Sequence, residues 1–132
     1  MAKWSNDENM DAMLNNIKTN ATRLCVCSAQ PTTFAEATTT YDGGASKYKL
    51  AIKTIASTDF TGPADGDVSG RKVAVNEAAG MTVDATASAT HIALCDFDDS
   101  KLLYVTTCTS QALTLGNTVT VPAFDIEVAD PS

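Results

Sequence analysis

The sequence predicts a mainly β protein: a single antiparallel β-sandwich or jelly-roll-like domain carrying a short N-terminal α-helix. Three observations predict it. From Arg23 onward apolar residues recur with a period of two, the pattern of half-buried strands. Clusters of Gly, Asp, Asn, Ser and Pro punctuate these runs at short intervals, as turns do. Only the segment before Arg23 carries apolar residues at helical spacing. Seven or eight short strands with such spacing, rich in threonine and valine, indicate an antiparallel sandwich or jelly roll. The division expected is residues 1–22 as an arm and amphipathic helix, and residues 23–132 as the β-sandwich domain.

The helix comes first. Met10, Met13, Leu14 and Ile17 fall at i, i+3, i+4 and i+7 and form one apolar stripe. Ser5 with Glu8 matches the S-x-x-E capping box, and Lys18 sits near the C-terminal end, where the helix dipole favours a cation. A helix this short is marginal alone, so its stripe must lie on the domain or on a partner. The expectation is that the β core is complete without it and that the stripe serves docking. Trp4, the only tryptophan, lies outside the β region and either anchors a partner or folds back on its own domain.

The strands follow in order. "RLCVC" places Cys25 and Cys27 on one face and Leu24 and Val26 on the other, the pattern of a central strand covered on both sides. "YKLAIKTI" alternates Tyr48, Leu50 and Ile52 against Lys49, Ala51 and Lys53. "RKVAV", "MTVDA", "THIALCDF", "LLYVTTC", "NTVTV" and, after a break at Pro122, "AFDIEV" complete the set. "YDGGAS", "TGPADGDVSG", "EAAG", "DFDDSK" and "LGN" read as the turns between them. Thr32 to Ser46 reads as a long exposed loop. No internal repeat and no linker divides the chain.

Charge and length exclude several function classes. Sixteen acidic against nine basic residues give a net charge of −7, which repels phosphate backbones and anionic lipid and disfavours nucleic-acid or membrane binding. No stretch approaches the roughly 20 apolar residues that span a bilayer, and the N-terminal residues lack a secretory signal pattern. A reducing cytoplasm is the expected site of folding, where cysteines stay thiols. Cys25, Cys27, Cys95 and Cys108 are therefore read as free and mostly buried thiols, ahead of a late disulfide or a metal site. His91 and Cys95 stand roughly 13 Å apart along one strand and cannot chelate one ion together.

The remaining chemistry is sparse. Any Cys–His or Ser–His catalytic pair must pass through His91, and neither a G-x-S-x-G elbow nor an H-x-x-x-H pair accompanies it. Asp65, Asp67 and Ser69 imitate the start of a calcium loop, but Asn76 occupies the twelfth position and a strand follows, so a plain Asp-Gly turn is the better reading. "DFDDS" reads as hairpin turn chemistry. The sequence predicts no enzyme, no metal and no cofactor.

One resemblance adds to this. "TRLCVCSAQPTTFAEA", then "YKLA", then "ATHIALCDFDDSKLLYVTTCTSQALTLGNTVTVPAFDIEVADPS" resemble a group of small virion proteins of tailed bacteriophages. Their progression is a strand ending in a "PTTxxEA"-like loop, a short extended segment, a "THIAL-D" strand, an "LLYVT" strand, and a "G-N-V-x-PA" turn into a last strand. It covers most of the chain from the N-terminal helix onward, and its motifs are structural. The resemblance implies a non-enzymatic part of the virion: a capsid decoration (cement) protein on the major capsid protein shell, self-associated as a dimer or trimer. Its alternative is a tail or fibre component that binds a receptor or carbohydrate, with Tyr41 and Tyr104 as the tyrosines to consider. Docking residues expected are Trp4, Met10, Met13, Leu14 and Ile17.

Overall fold

The computed structural model describes residues 4–130. Two helices, α1 (Asp7–Asn20) and α2 (Phe34–Thr38), accompany nine strands: β1 (Arg23–Cys27), β2 (Lys49–Thr54), β3 (Phe60–Asp65), β4 (Arg71–Val75), β5 (Ala78–Thr82), β6 (Ala87–Asp96), β7 (Lys101–Leu113), β8 (Thr118–Val121) and β9 (Phe124–Val128). The strands pair antiparallel throughout, into sheets ordered β2-β1-β6-β7, β3-β4-β9 and β5-β8. The β-sandwich-like class with one N-terminal helix stands as expected.

β1 shows why the largest sheet has two covered faces. It lies between β2 and β6, with Leu24 opposite Leu94 and Cys25 opposite Ala93. Leu24, Val26, Ile92 and Leu94 enter the main core, where the three sheets and α1 meet. Cys25, Cys27, Ala93 and Cys95 form a second apolar layer on the other face. This is the alternation read from "RLCVC" and "THIALC".

The second layer needs a cover, and α2 supplies it. Thr33 caps this helix, its hydroxyl accepting from the Glu36 N–H at 3.2 Å. Glu36 Oε1 in turn accepts from the Thr32 N–H at 2.9 Å and from its hydroxyl at 2.7 Å. Ala37 is fully buried over the cysteines, and the Phe34 ring meets Phe97 edge-on at 5.1 Å. The segment expected as an exposed loop is thus partly a lid on the sheet.

Three further expectations are corrected. The helix cap is Asn6, not Ser5: its side chain accepts from the Glu8 N–H at 2.8 Å, and asparagine is at least as good a cap as serine. The alternation in β2 breaks at Leu50, because Val26 pairs with Ala51 and Cys27 with Lys49. Leu50 is the extra residue of a bulge, so Leu50 and Ala51 both reach the main core while Tyr48 and Ile52 pack on the cysteine layer.

The third concerns the helix. Leu14 is fully buried within the main core and Met10 is buried beside it. Arg71 of β4 grips Asp11 at 2.8 Å, and Lys18 donates to the Gly62 carbonyl at 2.8 Å. The β core is therefore not complete without α1.

Candidate functional site

The thiol layer is the first grouping to test. All four cysteines are free. Cys25, Cys27 and Cys95 are fully buried, and Cys108 is half-buried. The fold sets Cys27 opposite His91 on neighbouring strands. Yet Cys27 Sγ points to the Ala37 carbonyl at 3.8 Å, and burial pushes its thiol up to about 12. His91 Nδ1 instead meets the Thr90 hydroxyl at 2.8 Å. A nucleophilic cysteine needs a depressed pKa and access; this one has neither. Cys25 is pushed the same way, by its hydrogen bond with Cys95 and by burial. The layer is packing.

The acidic turns are likewise satisfied from within. Asp65 pairs with Arg71 at 2.6 Å and Asp67 with Lys72 at 2.6 Å, while the Asp67 N–H donates to Glu127 Oε1. Asp96 is buried, but its Oδ1 accepts from the N–H groups of Asp98 at 2.9 Å and Asp99 at 3.2 Å, which builds the β6–β7 turn. Among the described residues, no group of three or more His, Cys, Asp or Glu side chains is placed to hold a metal ion. No helix among them is long and apolar enough to cross a membrane.

What remains is a surface. Between α1, β7 and β9 runs an apolar groove of about 630 Å³, walled by Ala12, Met13, Ile17, Leu103, Tyr104 and Val128. Helical geometry explains why Met13 stands at its rim. At 3.6 residues per turn it lies roughly 80° from the centre of the Met10–Leu14 face, and it is left 60% exposed. Trp4 is 81% exposed, so it does not fold back on the domain.

The five expected docking residues therefore separate. Met10 and Leu14 are inside the protein and unavailable. Ile17 is half-buried in the groove wall, and Met13 and Trp4 face solvent. Leu103 and Val128 carry no expectation from the sequence, and Tyr104 enters there only as a tyrosine to consider for the receptor- or carbohydrate-binding alternative. The adjacent leucines of "KLLYV" carry a signal: Leu102 packs on the cysteine layer and Leu103 on the opposite side. Tyr41 is half-buried against the main core. Comparison with family models, with curated proteins and with solved structures finds no match to this chain.

Proposed function

We propose that this chain is a non-enzymatic structural protein of a tailed-phage particle, a capsid decoration (cement) protein that binds the outer surface of the major capsid protein shell and stabilises it. The observation that carries this reading is the open apolar groove beside α1 with Met13 exposed at its rim. Apolar grooves rimmed by polar groups suit protein contacts. The sequence resemblance to small virion proteins supplies the kind of partner, and the net charge of −7 favours encounter with a basic shell surface. The protein is then located in the virion, assembled in the host cytoplasm.

A tail or fibre component with a receptor- or carbohydrate-binding role is the second reading. Tyr104, half-buried at the groove, favours it, since an accessible aromatic face gives a sugar something to stack on.

The test adds purified protein to shells assembled without it. Saturable binding is expected, weakened about tenfold or more by Met13→Asp, which places a charge in an apolar contact. Because Met13 is exposed, that variant should melt like the parent. Failure to bind shells overturns the decoration reading.

A further inference from the structure

The groove between α1, β7 and β9 is walled mostly by apolar side chains, but one charge stands in it, Glu127 beside Val128. Glu127 is exposed, and its Oε1 accepts from the Asp67 N–H at 2.6 Å. No lysine or arginine among the described residues forms an ion pair with it. Its neighbour across the β4–β9 ladder is Lys72, whose ammonium turns instead to Asp67 at 2.6 Å and Asp125 at 3.1 Å. An apolar wall therefore ends on a carboxylate without a cation.

The fold extends that charge beyond the groove. Arg71 holds both Asp11 of α1 and Asp65 of β3, and Lys18 reaches the Gly62 carbonyl, so α1 runs antiparallel to β3. The first turn of α1, with exposed Asp7 and Glu8, then points the same way as the β3–β4 turn. The Asp130 N–H donates to Ser69 Oγ of that turn at 3.3 Å, which brings the chain after β9 to the same end. Asp7, Glu8, Asp65, Asp67, Glu127 and Asp130 gather here against Arg71 and Lys72, so the net charge of −7 is concentrated beside the groove.

We infer that the groove takes a segment of the shell protein whose apolar side chains fill it and whose next residues, lysine or arginine, meet Glu127 and the acidic end. Charge complementarity selects this occupant. A segment flanked by acids is repelled at Glu127, and a second copy of the chain brings its own net charge of −7 to an end that is already acidic. A long basic side chain suits the junction, because its methylene stem lies on the apolar wall while its charge reaches the carboxylate. The inference rests on the shell-binding reading and adds to it the composition of the bound segment and the end of the groove at which its charges lie.

Binding to shells assembled without the protein, measured in low and high salt, tests it. Glu127→Gln combined with Asp130→Asn should weaken binding about threefold or more in low salt and match the parent in high salt. Glutamine keeps an acceptor for the Asp67 N–H, so the fold is spared. Asp98→Asn combined with Asp99→Asn removes the same charge from the β6–β7 turn. That turn lies at the other end of α1, where the Phe97 N–H meets the Thr22 hydroxyl at 2.9 Å. This second pair should bind like the parent in both salts. All four positions are exposed, and both combinations should keep the parent melting temperature. Parent-like binding by the Glu127 and Asp130 pair in low salt, or an equal loss in the two pairs, would overturn the inference and leave the shell-binding reading standing. A parent chain that binds no shell would overturn both.

Discussion

Leu14 and Met13 are neighbours in sequence with opposite fates, and a pair of substitutions separates them. Leu14→Ala should cost about 2–5 kcal/mol, because it empties a fully buried position where α1 meets the main core. Met13→Asp should change stability by less than about 0.5 kcal/mol, as exposed positions do. Denaturant unfolding checks both. Gly70 is a second sensitive residue: its φ is +70°, and a Cβ there would collide with the Val128 carbonyl. Gly70→Ala should therefore destabilise by about 1–3 kcal/mol or more, since left-handed strain and a backbone clash act together. The buried thiols set an alkaline limit. Cys27 rises from 9.0 to about 12, so the folded state holds a proton that the unfolded chain releases between those pH values. Its contribution is complete below pH 9 and falls by about 1.4 kcal/mol per pH unit above it. Unfolding measured across that window should show a shallower pH slope in Cys27→Ala. Thiol labelling should be slow in the native state and reach four per chain after unfolding without reductant.

At the scale of elements, deleting residues 1–21 should abolish or severely weaken folding rather than merely remove a docking arm, because Leu14, Met10 and the Asp11–Arg71 pair go together. A truncated chain that melts normally by circular dichroism would show the sheets to be self-sufficient. Thr33→Ala should cost about 0.5–2 kcal/mol through loss of the α2 cap. It should also speed labelling of Cys25 and Cys27, whose cover that helix is. The elements legible in sequence are those with unbroken periods: β1, β4 and β9 alternate faithfully across their length and β6 does so from His91 to Cys95, whereas Ala87 and Ala89 reach the same core with the opposite parity across a register shift. Those that escaped are built on exceptions. β3 contains Gly62–Pro63, a pair that reads as a turn but is tolerated in an edge strand at a bulge. α2 has only five residues, too few for a helical period, and its Thr33-x-x-Glu36 cap was the available sign. The Leu50 bulge is set by pairing with β1, which no local pattern records. The candidate groove was half legible for the same reason. Met13 and Ile17 lie on a readable stripe, whereas Leu103, Tyr104 and Val128 come from distant strands that only the fold brings beside it.

For the whole molecule, the proposed shell binding divides between charge, which steers encounter, and apolar burial, which holds the complex, and salt separates the two. Encounter with a basic shell should slow as ionic strength rises, over a screening length of about 8–10 Å, while the bound state, held by apolar burial, persists. Stopped-flow association in a salt series checks this, and a rate indifferent to salt would exclude acid-to-base steering. The proposed role requires the α1–β7–β9 groove to fasten this domain to the outside of a capsid shell. Its most direct test is imaging of the purified particle by electron cryomicroscopy, with copies counted per shell. Density for this domain is expected on the outer capsid surface, in copy number comparable with the shell protein, with the α1–β7–β9 groove turned toward the shell. Density confined to the tail in a few copies, or a capsid-bound domain whose groove faces solvent, would contradict it.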